Sequence, residues 1–213
     1  FSLADAPEVY EEFYTASTDE YNAVVDEHLS RGVKHTKVKA LDLIKHLLII
    51  RQETGRLYCF NVSRANFHSP FKGVIRLSNL CQEICLETVP YDDMESLYLD
   101  NGVGETAFCS LSAQVPVNIS SDEEYERVVY TTVKTVNQMI MKCPKMTKNH
   151  ERTMFEKMSL GIGITGLAEY LYSKGLDYDG SDESLEAVAD LAEKHMFYLY
   201  KASIRISKET GIV

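Results

Sequence analysis

No stretch of this 213-residue sequence is rich in Lys or Arg, and its 22 basic residues are outnumbered by 32 acidic ones, for a net charge of −10. A protein that grips nucleic acid through many phosphates needs the opposite balance, so that class is disfavoured. A substrate with only two phosphates is compatible with it. No apolar run approaches the roughly 18 residues of a membrane span, and no charged-then-apolar leader opens the chain; a cytoplasmic location is expected. The five cysteines, Cys59, Cys81, Cys85, Cys109 and Cys143, are odd in number and too sparse for a secreted disulfide scaffold, so reduced thiols are expected. The histidines form no His-x-x-x-His or Cys/His cluster, and the Cys81/Cys85 pair has no third ligand at short spacing, which argues against zinc or an iron–sulfur cluster. There is no internal repeat or low-complexity linker, and the length is that of one domain with a substantial core.

What the sequence does contain is Ser78-Asn79-Leu80-Cys81-Gln82-Glu83-Ile84-Cys85-Leu86, in which an amide, a thiol and a carboxylate occupy every second position. On an extended backbone these three side chains share one face, each roughly 6.6 Å from the next. The alternate positions are mostly apolar, so the segment is expected inside the protein. A buried thiol between a hydrogen-bonding amide and a proton acceptor outlines a reaction site.

The flanking chain alternates short apolar strands with amphipathic helices, which indicates an α/β domain. Residues 7–31 read as one or two short acidic helices that start at Pro7 and stop at Arg31-Gly32. From Thr36, apolar residues at helical spacing and Gly55 beyond them predict a helix packed on a core. Residues 57–62 are a strand candidate, 87–105 an acidic excursion or hairpin, and 107–117 a strand with Cys109 near its start. Ser120-Ser121 with Glu124 opens a helix to about Lys142, where Pro144 stops it. Residues 159–166 read as a buried strand-to-helix passage, 167–174 as a helix, and Asp182 to Thr210 as a long helix with His195 on its apolar side.

Residues 79–84 read Asn-Leu-Cys-x-Glu-Ile. Upstream are Thr54-Gly55-Arg56-Leu57-Tyr58, then Asn66 and His68-Ser69-Pro70-Phe71. Downstream come Phe108-Cys109-Ser110-Leu111-Ser112 and Ser159-Leu160-Gly161-Ile162-Gly163-Ile164. In this order the strings resemble the large, catalytic subunit of class I ribonucleoside-diphosphate reductases. The likeness covers most of the chain and weakens over the first 30 or so residues and over the acidic connection.

The resemblance implies about half of a ten-stranded α/β barrel, with residues 79–84 on a finger loop through its centre. It implies that Cys81 becomes a thiyl radical and abstracts the ribose 3′-hydrogen. Glu83 takes the 3′-hydroxyl proton, Asn79 holds the ribose hydroxyls, and Cys109 is one half of a dithiol that closes to a disulfide each turnover. The substrate would be a ribonucleoside diphosphate. The radical would come from a small dimetal partner subunit and the electrons from thioredoxin or glutaredoxin, with no cofactor bound directly. The second redox cysteine, a diphosphate-binding loop, relay tyrosines and a C-terminal cysteine pair have no match here. Both ends are expected to be cuts, since the chain begins at Phe1 rather than Met and stops at Val213 just after a helix-ending Thr-Gly pair; the missing parts of the large subunit are expected to be partners in a homodimer, and the 160–167 surface to be exposed and apolar.

Three other readings compete. An adenosylcobalamin-dependent class II reductase is close, although the Asn-Leu-Cys-x-Glu-Ile wording favours class I. A non-catalytic piece of a split reductase would need its partner chains, and a thiol oxidoreductase would join Cys81 to Cys85. Cys85 lies outside the strings and reads as core. Gly161-x-Gly163-x-x-Gly166 matches a dinucleotide fingerprint without its strand context, so close backbone packing is the preferred reading.

Overall fold

The computed structural model describes residues 1–108 and 110–211. The chain divides into two compact units, one of Phe1–Leu97 with Asn101–Ala107 and the other of Tyr98–Asp100 with Phe108–Val213.

The first unit carries α1 (Pro7–Thr15), α2 (Thr18–Ser30), α3 (Ala40–Thr54) and α4 (Val62–Phe67), with α5 (Met94–Tyr98) at its boundary. Pro7 starts α1 where its missing N–H costs nothing. Ser17 and Glu20 close a reciprocal capping box on α2, with Ser17 N–H donating to Glu20 Oε2 at 2.8 Å. α1 packs against both α2 and α4. Ala6, Val9, Val62 and Ile75 form the small apolar interior, with Ile75 only 1 % exposed.

Two expectations fail in this unit. Residues 57–61 form no strand, and the chain instead turns into α4 at Val62, whose side chain is buried. The aromatic and β-branched composition of that stretch had no neighbouring strand to pair with, and propensity for strand is mostly a propensity to pack on one. The helix expected from Thr36 begins at Ala40 and buries none of its residues: Leu41, Leu43, Ile44, Leu48 and Ile49 are each at least half exposed.

The second unit contains β1 (Leu111–Gln114), a 3-10 turn (Pro116–Asn118), α6 (Asp122–Lys142), α7 (Lys148–Lys157), β2 (Gly161–Ile164), α8 (Leu167–Ser173) and α9 (Asp182–Thr210). β1 and β2 pair in parallel from Leu111 opposite Gly161 to Gln114 opposite Ile164. Parallel pairing requires a long crossover, and α6 with α7 supplies it. The unit is α/β, as expected.

Ser121 caps α6 by accepting from Glu124 N–H at 3.2 Å, while Glu124 reaches back one residue further, to Ser120 N–H at 3.0 Å. Along α6 the buried residues Tyr125, Val129, Val133, Val136 and Ile140 follow a helical stripe. The first three pack with Leu191, Ala202 and Ile206 of α9 into one cluster, and Leu160, Ile162, Ile164 and Leu167 lie against it half-buried. The 160–167 stretch is thus tied into a core, whereas α3 leaves Leu41, Leu43, Ile44, Leu48 and Ile49 exposed. Fully burying side chains of this size contributes about 1.5–3 kcal/mol each.

Ion pairs run along the same helix pair, Asp122 with Lys194, Glu126 with Lys201 at 2.7 Å and Lys134 with Glu209 at 3.7 Å. They sit in solvent, where such pairs contribute about 0–1 kcal/mol.

Candidate active site

The central stretch is not one extended run. Asn79 C=O accepts from Gln82 N–H at 3.0 Å, closing a tight turn over 79–82, and Gln82 adopts a left-handed φ of 64°. That turn breaks the alternation on which a shared face for Asn79, Cys81 and Glu83 rested. A left-handed non-glycine residue costs energy, so the turn persists because its surroundings hold it. Cys81 and Glu83 are exposed, and Leu80 is 76 % exposed, so the turn is also not buried as its apolar alternate positions implied.

Asn79 remains half-buried at the base of the turn. Its Oδ1 accepts from Ile84 N–H at 3.0 Å. A backbone N–H can bond only to the oxygen of an Asn amide, so this bond fixes which way the amide faces. Asn79 Nδ2 makes no hydrogen bond among the described residues and is left to donate. Ser78 Oγ donates to Ile84 C=O at 2.8 Å, and both backbone groups of Ile84 are thereby held by side chains.

Further out, Glu87 Oε2 accepts from Gly73 N–H at 2.6 Å. A Cβ at residue 73 would lie 2.1 Å from that oxygen, so the close approach needs glycine. Residues 73 and 87 are thus pinned together at the neck of a loop whose far end carries Cys81. Past the neck, Val89 and Glu105 pair as an antiparallel bridge, which makes the acidic 87–105 connection a closed excursion with α5 inside it.

The side chain that organises the entry to this loop is Asn66, which appears in the sequence as part of a matching string but without a role. Its Nδ2 lies 2.8 Å from Ile75 C=O, 3.0 Å from Val62 C=O and 3.2 Å from Tyr14 C=O, so its two hydrogens are shared among three carbonyls, and its Oδ1 accepts from Ile75 N–H at 2.8 Å. Its place in a matching string was the available signal. Its partners are backbone groups, which no spacing rule points to.

Cys59, Cys81, Cys85 and Cys143 are all free and exposed. Cys85 therefore sits at the surface rather than in the core, and no disulfide joins it to Cys81. Cys109, expected near Cys81, lies outside the described residues.

His195, passed over in the sequence as ordinary, is buried and bonded at both ring nitrogens: Nε2 to Ile162 C=O at 2.8 Å and Nδ1 to the Tyr125 hydroxyl at 2.9 Å. A carbonyl can only accept, so Nε2 carries the proton and Nδ1 accepts from Tyr125. Burial, with Tyr170 nearby, pushes the Tyr125 phenol up to about 12. This pair ties α6, α9 and β2 together. It is structural, since its polar atoms are consumed by one another.

Gly161 and Gly163 lie within β2, and Gly166 immediately precedes α8 with a φ of 73°. A dinucleotide turn places its glycines after the strand, so the match is incidental. Close packing holds at Gly161, where a Cβ would meet Leu111 Cδ2 at 2.4 Å, and not at Gly163, which has nothing within 4 Å.

Among the described residues, no three His, Cys, Asp or Glu side chains converge as metal ligands, and no helix is long and apolar enough to cross a membrane.

Comparison with known proteins agrees with the family resemblance. The chain is 33% identical over 216 residues to the ribonucleoside-diphosphate reductase subunit alpha of Haemophilus influenzae, covering 99% of this chain and 28% of that protein. It is also 33% identical over 216 residues to the reductase 1 subunit alpha of Escherichia coli, covering 27% of it, and 30% identical over 215 residues to the subunit alpha of Buchnera aphidicola from Acyrthosiphon pisum, again covering 27%. The chain thus spans about a quarter of the length of these curated relatives. The family model for the ribonucleotide reductase barrel domain matches residues 1–213, and the chain belongs to that family.

Proposed function

We propose that this chain is part of the catalytic alpha subunit of a class I ribonucleoside-diphosphate reductase and carries its central active-site loop. The observation that carries the reading is the Asn79–Gln82 turn. It carries Cys81, two residues after an Asn79 amide whose oxygen is tied down and whose Nδ2 is left to donate, with the Glu83 carboxylate two residues further on.

In this reading a ribonucleoside diphosphate lies against the turn. Cys81, as a thiyl radical, takes the 3′-hydrogen atom and becomes a thiol. Glu83 accepts the 3′-hydroxyl proton, and Asn79 Nδ2 donates to a ribose hydroxyl and orients the sugar. The 2′-hydroxyl leaves as water. Two electrons come from a cysteine pair that includes Cys109, which closes to a disulfide; the hydrogen atom then returns from Cys81 to the 3′ carbon. Thioredoxin or glutaredoxin reopens the disulfide by thiol exchange.

The radical is supplied by a small dimetal partner subunit, and no ligand set for that centre is assigned to the described residues of this chain. The Asn-Leu-Cys-x-Glu-Ile string and the names of the relatives favour class I over an adenosylcobalamin enzyme. The compartment is the cytoplasm.

The chain acts together with the remaining parts of the large subunit, in a homodimer of the whole. Two features support this: it spans about a quarter of its relatives, and α3 exposes apolar residues on nearly all sides. Several large apolar side chains exposed on one helix mark a surface that another segment covers. Proximity and orientation contribute on the order of 7–11 kcal/mol to such reactions, and no diphosphate-binding loop is matched in this sequence. The expected result is that the 213-residue chain, given a radical-generating subunit, dithiol and nucleoside diphosphate, forms no deoxynucleotide, and that adding the remaining large-subunit segments restores it. Robust turnover by the chain alone would show a complete minimal enzyme and overturn the reading.

A further inference from the structure

We propose that Asn66 is a positioning residue for the Cys81 loop: it fixes where the turn stands and, through that, the reach of the thiol. As a statement about catalysis this rests on the reading of Cys81 given above; as a statement about the loop it rests on geometry alone.

The loop between residues 73 and 87 contains no helix or strand. Its backbone polar groups therefore lack the ladder partners that position residues elsewhere in the chain, and buried backbone groups must be satisfied by other means. Two residues are held at both backbone atoms by side chains. On the way in, Ile75 N–H and C=O both bond to the Asn66 amide at 2.8 Å. On the way out, Ile84 N–H and C=O bond to Asn79 Oδ1 and Ser78 Oγ at 3.0 and 2.8 Å. The Asn66 amide thus does for Ile75 what a neighbouring strand would do, with one acceptor and one donor at the right separation.

Asn66 also reaches two fixed bodies. Its bond to Tyr14 C=O takes one of the carbonyls that the end of α1 leaves unpaired, and its bond to Val62 C=O keeps the side chain folded back on α4. Ile75 is a large side chain that is only 1 % exposed. The side chain therefore anchors the loop to α1 and α4 at one point, four residues before Asn79 and six before Cys81. Asp at this position keeps the acceptor for Ile75 N–H but sets a carboxylate against three carbonyls. Ala leaves both backbone groups of Ile75 without a partner.

The test is amide hydrogen exchange on this chain, residue by residue, with Asn66→Ala, Asn66→Asp and, as a control on the exposed side of α4, Ser63→Ala. In the unsubstituted chain, Ile75 and Ile84 amides exchange slowly despite lying outside any helix or strand. In both Asn66 variants, exchange across 75–86 accelerates about tenfold, the change that loss of a hydrogen bond to a buried backbone group brings. Exchange in α6 and α9 and in the Ser63→Ala chain stays unchanged. In the assembled reductase, Asn66→Asp lowers kcat about tenfold or more at unchanged KM, because the thiol is misplaced while the substrate site elsewhere is intact.

An Ile75 amide that exchanges at the free-peptide rate in the unsubstituted chain would overturn the proposal without any variant. So would an acceleration spread evenly over α1, α2 and the loop, which would make Asn66 a general stabilising residue. If exchange changes only across 75–86 while the unsubstituted assembly makes no deoxynucleotide, the loop anchor stands and the reductase reading falls.

Discussion

His195 and Asn66 each tie three segments together with one side chain, but in different surroundings. His195 bridges α6, α9 and β2, which are already set side by side by an apolar cluster and a parallel strand pair. Asn66 joins α1, α4 and a loop that has no regular structure of its own. Where helices and strands supply position, a buried polar pair adds specificity to an arrangement that packing has already made. Where they do not, the polar side chain is itself what supplies position. The chemistry proposed here belongs to the second setting, in keeping with functional residues lying on loops held by a firmer scaffold.

The contrast can be broken most forcefully in the packed unit. Leu191→Ala empties a site at the α6–α9 contact and is expected to destabilise that unit by about 2–5 kcal/mol, read as a lower urea midpoint by circular dichroism. An effect under about 1 kcal/mol would mean that packing is not what holds these helices.

Tyr125→Phe strips the buried His195 Nδ1 of its donor, and about 1–3 kcal/mol is expected to be lost by the same measurement. Full stability in the Phe variant would show the pair to be dispensable.

The pH dependence follows from the raised Tyr125 pKa. Below the ordinary tyrosine value near 10 the phenol is protonated in both folded and unfolded chains. Between there and about 12 the unfolded chain has released the proton and the folded one has not. The folded state then binds more protons, so stability falls as pH rises through this window. Urea midpoints at pH 9 and 11.5 should drop more in the unsubstituted chain than in Tyr125→Phe; equal drops would remove Tyr125 as the source.

The smallest effect is expected on α3. Leu48→Gln changes an exposed side chain with no buried neighbour on its helix, so stability should shift by no more than about 0.5 kcal/mol while association with the remaining large-subunit segments weakens. A large loss of stability in the isolated chain would mean that α3 already packs within it.

The sequence made the two long helices of the second unit legible almost to the residue, while the strand expected over 107–117 is only Leu111–Gln114. Those helices announce themselves: Ser121 with Glu124 opens α6, Pro144 follows its end, and the Asp182 to Thr210 stripe coincides with α9. Apolar period and caps are local signals, and there the local signal is also the structure. In the first unit they diverge. Residues 57–61 had strand composition without a strand to pair with. Residues 78–86 had an alternating pattern that a single backbone bond from Gln82 to Asn79 overrides. α7 and α5 went unread because their apolar stripes are short and mixed with charge. At the site, Asn79, Cys81 and Glu83 could be named from the strings they sit in, but their shared face could not be inferred from alternation alone. Asn66 and Ser78 act on backbone atoms and leave no pattern in side-chain spacing.

The most direct test of the central claim is deoxynucleotide formation by the assembled reductase with Cys81→Ser in place of the native chain. A hydroxyl fills the space of the thiol but is a far poorer carrier of a radical. The account predicts product at background level with nucleotide binding retained; deoxynucleotide formation above a trace would remove Cys81 from the reaction and contradict it.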